Sequence, residues 1–203
     1  MMTLNVAVHN RFKDAFEQRC CRLIIEAYNT SIKEKIIQLD WNENDISAEI
    51  IKCANENPLR KKWRFFISSE APIPKYIPKE KGFANKFPRI DIKFATFRQQ
   101  DEYEYFFEAK NLKQGDSALK RRYIKTGIDS FVSGKYVNGS LVIYLLEGKA
   151  EEAIDSVNSL LIKDHREMEI LCSHSYKCLD TFYQSNHPNI GILKHLLLDF
   201  TRI

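Results

Sequence analysis

The sequence predicts a mixed α/β (α+β) fold, with a central sheet flanked by helices, on three observations. Residues 89–97 and 103–110 alternate strictly between apolar and polar, as strands with one buried face do. Leu141 to Leu146 is continuously apolar and bounded by Gly139 and Gly148, the pattern of a strand covered on both faces. Apolar residues at steps of three and four precede and separate these runs, which places helices between strands. A chain of 203 residues is long enough for one domain with an appendage. The expected division is an N-terminal helical segment over 1–40, a core over 41–148 and a C-terminal extension over 149–203.

Taken in order, Phe12, Phe16, Cys20, Leu23, Ile24, Ala27 and Tyr28 mark an amphipathic helix within 11–38. A second helix is expected from about Glu43 to Asn55, with Asn42 as cap, Ile46, Ile50 and Cys53 as its buried stripe, and Pro58 ending the segment. Arg64 to Ser68 follow as a strand. Residues 69–88 hold Pro72, Pro74, Pro78 and Pro88 with Lys75, Lys79, Lys81 and Lys86, and are expected to form a long loop. The alternating pair is a hairpin. After it, Leu119, Tyr123, Gly127, Ile128 and Phe131 share the stripe of a helix over 117–133, capped by Asp116 or Ser117 and stopped at Gly134. Residues 151–163 read as a further helix. The tail from Met168 reads as a hairpin followed by the apolar segment Ile192 to Phe200.

Composition excludes several classes. Disorder, collagen and coiled coil do not fit a chain that is 44% hydrophobic and 29% charged. No basic, then apolar leader opens the sequence, and no apolar run approaches the ~20 residues of a membrane span. Five cysteines without a C-x-x-C motif do not form a disulfide framework, so a reduced cytoplasmic setting with no membrane partner is expected. Glycine-rich phosphate loops are absent. The spacing of Cys172, His174, Cys178 and His187 fits zinc poorly, and favours buried thiols and surface histidines.

The chemistry concentrates in the hairpin. Parity puts Ile90, Ile92 and Phe94 on one face with Tyr103, Tyr105, Phe107 and Ala109, and puts Asp91, Lys93, Phe106, Glu108 and Lys110 on the other. A turn centred between Gln99 and Gln100 sets Asp91 opposite Glu108 and Lys110 opposite Arg89. Two carboxylates directly opposed across strands repel each other, unless a cation lies between them. A hard ion such as Mg²⁺ is held by one or two carboxylates and can activate water against a phosphodiester. Acid-x-Lys triplets occur three times, about as often as composition predicts. It is the placement of Glu108-Ala109-Lys110 late in a strand, opposite Asp91, that singles it out.

Pro88-Arg-Ile-Asp91, followed after sixteen residues by Glu108-Ala-Lys110, resembles the signature of the PD-(D/E)xK nuclease superfamily, the restriction-endonuclease-like fold. The helix Tyr123-Ile-Lys-Thr-Gly127-Ile-Asp-Ser-Phe131 with Gly134 and Tyr136 is similar to one in small bacterial members, some from phage-defence loci. Trp41-Asn-Glu43-Asn-Asp-Ile46 resembles their acidic first-helix motif, and Ser185-Asn-His187 with His195 to Phe200 their tail. The resemblance spans about residues 41–200, and differs in that two residues separate Pro88 from Asp91. It implies an αβββαβ core, Asp91 and Glu108 as metal ligands for Mg²⁺ (or Mn²⁺), Lys110 as the catalytic lysine and Glu43 as the helix acid. Glu49 is the rival for that last role.

Lys113, Lys120, Arg121, Arg122 and Lys125 follow the expected catalytic strand, and Arg60, Lys61 and Lys62 adjoin Trp63. Such basic clusters beside one hairpin suit phosphate contacts. The expected function is therefore a Mg²⁺-dependent endonuclease acting on DNA, an effector in bacterial antiphage defence, working as a homodimer or with a protein partner in a defence complex. Two alternatives are a nucleic-acid-binding or assembly module silent without a partner, and a nuclease directed at RNA.

Overall fold

The computed structural model describes residues 6–73, 81, 83–98, 101–176 and 179–202. Its centre is a seven-stranded mixed sheet in the order β1-β2-β3-β4-β7-β6-β5. The strands are β1 (Phe66–Pro72), β2 (Arg89–Arg98), β3 (Asp101–Lys113), β4 (Gly139–Glu147), β5 (Cys172–Tyr176), β6 (Leu179–His187) and β7 (Gly191–Asp199). β4 is parallel to both β3 and β7, whereas every other neighbouring pair is antiparallel.

Helices cover both faces. On one side lie α1 (Val6–Glu34) and α2 (Glu43–Glu56), which bury Phe16, Leu23, Ile24, Ile46 and Ile50 against Phe94, Phe107, Val142, Tyr144 and Leu196. A short α3 (Pro58–Trp63) follows α2. On the other side lie α4 (Ser117–Arg122), a π-helical turn (Tyr123–Ile128), α5 (Asp129–Val132) and α6 (Ala150–Lys163). They bury Tyr123, Ile128, Phe131, Ile154 and Val157 against Leu112, Leu141, Ile143 and Leu197. β4 alternates between the two cores, so every residue from Ser140 to Leu146 is buried, as a central strand with parallel neighbours requires.

Several expectations are met closely. Asn42 caps α2, its side chain accepting from the amides of Asn44 and Asp45. The β2–β3 register pairs Ile92 with Phe107 and Arg98 with Asp101, the register that a turn at 99–100 demands. Gln99 and Gln100 themselves lie outside the described residues. Gly134 has φ +70° just beyond α5, where a helix stop needs the left-handed region.

Others are corrected. Pro58 ends α2 but also opens α3, because proline suits a first helical position and Asn57 caps the new turn through the Leu59 amide. β1 continues to Pro72, beyond the expected end at Ser68; Pro72 is tolerated because β1 is an edge strand. Of the basic residues in the expected long loop, Lys75 and Lys79 fall outside the described residues. The helix over 117–133 contains a π-helical turn, a feature concentrated near functional sites. Ile90 breaks parity: it packs with Tyr123 and Tyr136 rather than with Ile92 and Phe94. The β2–β3 ladder ends at Ile92 and Phe107, so neither expected pair beyond it, Asp91 with Glu108 nor Lys110 with Arg89, forms in the ladder.

Candidate active site

The divergence of β2 from β3 builds the site. Where the main-chain ladder stops, the Asp91 side chain replaces it: Oδ2 accepts from the Ala109 amide at 2.7 Å. That bond fixes the Asp91 carboxylate beside the middle of β3. Glu108 and Lys110 project from β3 towards the α4–α5 layer, two residues apart and therefore on one face. Lys110 Nζ donates to Glu108 Oε1 at 2.8 Å and to the Ala109 carbonyl at 2.7 Å, and lies 3.9 Å from Asp91 Oδ2.

A third acid arrives from α2. Glu43 is its first helical residue, held there by the Asn42 cap. Its Oε1 accepts from the Asn111 amide at 2.8 Å, and its Oε2 lies 3.9 Å from Lys110 Nζ. Thus one ammonium lies within 4 Å of carboxylates from α2, β2 and β3. The rival, Glu49, is six residues further along α2 and pairs with Lys52. The structure therefore brings Glu43, Asp91, Glu108 and Lys110 together and leaves Glu49 out.

Burial sets the electrostatics. Loss of water raises the Asp91 carboxyl above its ordinary range, offset in part by Lys110 and the Ala109 amide. Glu108 is raised too, first by burial and then by the Asp91 charge. Glu108 Oε2 is buried without a hydrogen-bond partner, a costly state for a carboxylate oxygen. Tyr136 is near it, but its hydroxyl donates to the Arg89 carbonyl at 2.7 Å and has no second proton to offer.

Among the described residues no group of three or more His, Cys, Asp or Glu converges as a ready metal cage. The cation at the centre of these acids is the Lys110 ammonium. The donor chemistry nevertheless suits a hard divalent ion: Asp91, Glu108 and the Ala109 carbonyl offer only oxygen, and one buried Glu108 oxygen has no hydrogen-bond partner.

Close packing keeps Lys110 in place. A β-carbon on Gly127 would lie 3.0 Å from Leu141 Cδ2 and 3.5 Å from Lys110 Cγ, so the absent side chain lets the π-helical turn sit against the lysine stem. Asn111 Nδ2 donates to the Trp41 carbonyl at 3.2 Å, tying β3 to the segment before α2. The tie that Asn111 makes to Trp41 carries no local sequence pattern. Only the Gly within an apolar helical stripe was a signal of close approach.

The expected phosphate-binding residues divide. Lys61, Lys62, Arg122 and Lys125 are exposed, and Lys113 is half-buried at the end of β3. Arg121 pairs with Asp164. Two expectations are corrected. Lys120 is buried and donates to the Gln114 carbonyl at 2.8 Å, so it closes the turn before α4. Arg60 is half-buried and donates to the Asn55 and Phe65 carbonyls, where it joins the end of α2 to β1. Arg122 is more than a surface charge, since its Nη2 donates to Glu43 Oε2 at 2.7 Å.

Of the four tail residues, His174 is exposed as expected, whereas His187 is buried and Cys172 is exposed, both against expectation, and Cys178 lies outside the described residues. His195 is buried as well. Ser185 Oγ bridges His187 Nε2 and His195 Nε2, each at 2.7 Å. His195 Nδ1 meets the Tyr123 hydroxyl, and His187 Nδ1 meets Glu169 Oε2 at 2.7 Å. This polar chain crosses the second core to the α4–α5 layer.

No family model, curated protein or solved structure matches this chain. Among the described residues no helix is long and apolar enough to cross a membrane.

Proposed function

We propose that the chain is a divalent-metal-dependent phosphodiesterase acting on DNA, with a restriction-endonuclease-like core. The observation that carries this is the convergence of Glu43, Asp91 and Glu108, from three separate elements, on the single Lys110 ammonium. Buried like charges are expensive to assemble, and sites that do so are enriched in function. The order α2, β1, β2, β3, α4, β4 also follows the αβββαβ succession of the resemblance, with α3 added.

Asp91 and Glu108 would hold the ion, with the Ala109 carbonyl as a further oxygen. A bound Mg²⁺ supplies positive charge against the phosphodiester and makes water a stronger acid. Lys110 would place its ammonium on a non-bridging phosphate oxygen. Glu43 keeps Lys110 from turning away. Exposed Lys61, Lys62 and Lys125 would contact backbone phosphates, without reading sequence.

The test is incubation with duplex DNA, single-stranded DNA and RNA, each with Mg²⁺ and with EDTA. The expected result is metal-dependent cleavage of DNA. Cleavage confined to RNA would move the substrate class, and no cleavage of any polymer with Mg²⁺ or Mn²⁺ would remove the enzymatic reading. An antiphage role is the biological setting we propose, on the resemblance alone.

A further inference from the structure

Resting on the nuclease reading, we propose that Arg122 is a substrate-responsive latch that withholds Glu43 from the metal site until a DNA phosphate takes its guanidinium. Both oxygens of Glu43 are engaged. Oε1 is on the Asn111 amide, while Oε2 accepts from Arg122 at 2.7 Å with Lys110 more distant at 3.9 Å. Arg122 thus dominates the oxygen that also lies within 4 Å of Lys110, the ammonium shared with the other acids.

Exposure makes that contact exchangeable from outside. The Arg122 side chain is 53% exposed, whereas those of Glu43 and Lys110 are 9% and 5% exposed. A polyanion can therefore reach Arg122 before any other member of the cluster. A guanidinium has five donors in a planar fork, and phosphate matches that fork in two-point contact. Exchanging a carboxylate partner for a phosphate conserves charge-assisted hydrogen bonding, so little opposes the switch. Lys125, three residues further on, is exposed as well and adds positive charge nearby.

Charge gives the exchange a direction. Three carboxylates facing Lys110 and Arg122 leave one net negative charge, which disfavours a phosphodiester. With a divalent ion the sign reverses and DNA is attracted. By linkage, DNA must then tighten metal binding by the same factor as metal tightens DNA binding. The latch also keeps the site from being fully assembled on metal alone.

Calorimetric titration of Mg²⁺ into the full chain without nucleic acid tests this, in a cycle of wild type, Arg122→Gln, Glu43→Gln and the double variant. Gln at 43 keeps an acceptor for the Asn111 amide, so the fold is preserved. The expected result is that Arg122→Gln tightens Mg²⁺ about fivefold or more, and that this gain vanishes in the Glu43→Gln background. An equal gain in both backgrounds would mean that Arg122 acts only through its distant charge, which overturns the latch but leaves the nuclease reading standing. Failure of both wild type and Arg122→Gln to bind Mg²⁺ would overturn both.

Discussion

Glu108→Ala is expected to reduce metal-dependent DNA cleavage by roughly a thousandfold or more, about 4 kcal/mol of lost barrier stabilisation. The same change should leave thermal stability equal to wild type or higher. Glu108 is buried, raised in pKa by desolvation and by Asp91, and has one oxygen without a partner. A structural carboxylate would be satisfied on both oxygens, and its removal would destabilise. Here truncation relieves a buried charge, while Lys110 keeps the Ala109 carbonyl and stays close to Asp91 and Glu43. Loss of activity without loss of stability separates a functional acid from a scaffold acid. Parallel cleavage assays and thermal melts check it, and a cooperative drop in melting temperature with activity retained would count against the assignment.

The second large effect lies in the polar chain through the other core. Glu169 is flanked by Arg166 and its carboxyl is lowered, chiefly by that guanidinium, so it is an acceptor. His187 Nδ1–H must then donate to it. A neutral His187 accepts at Nε2 from the Ser185 hydroxyl, whose oxygen accepts from His195 Nε2–H. His195 Nδ1 is left to accept from Tyr123. One carboxylate therefore fixes both tautomers. Burial lowers the pKa of both histidines, to about 3 for His195 with the neighbouring His187 adding to it, while Glu169 offsets part of the effect at His187.

The sign of the pH effect follows. Unfolded histidines take up protons below about pH 6.5, while the folded ones resist, so the unfolded state binds more protons and stability falls as pH drops through that value. A histidine that stays neutral contributes a loss of about 1.4 kcal/mol per pH unit, or on the order of 2–3 kcal/mol between pH 6.5 and 4.5. Glu169 adds a loss of the same sign at lower pH, since a depressed acid stabilises only while ionised. Urea melts from pH 7.5 to 4.5 measure the slope. His195→Gln is expected to remove about one proton's share of it, whereas a slope unchanged in that variant would show that the chain does not control acid stability.

How much of this could be read beforehand follows from which interactions are periodic. β2 and β3 declare themselves through alternation, and one turn position then fixes a register that places Asp91 near Glu108. β4 declares itself because burial on both faces leaves no polar position in Leu141 to Leu146. Ile90 escapes because the ladder ends at Ile92, and parity holds only along a continuous strand. The roles of Lys120 and Arg60 escape because charge alone does not show whether a side chain turns to solvent or to a carbonyl. Arg122 and Glu43 are 79 residues apart, and their pairing depends on how two helices close over opposite sides of β3. The histidine chain needs two strands to meet both the turn that holds Glu169 and the π-helical turn that holds Tyr123, contacts that a hairpin reading of the tail does not contain.

The central claim is that Asp91 and Glu108 share a divalent cation. Electron paramagnetic resonance of free Mn²⁺, titrated against wild type, Asp91→Asn and Glu108→Gln, tests it with no dependence on substrate. The account predicts saturable Mn²⁺ uptake by wild type and its loss in both variants, each of which keeps the shape of the acid it replaces. Equal uptake by all three proteins, or none by any, would contradict it.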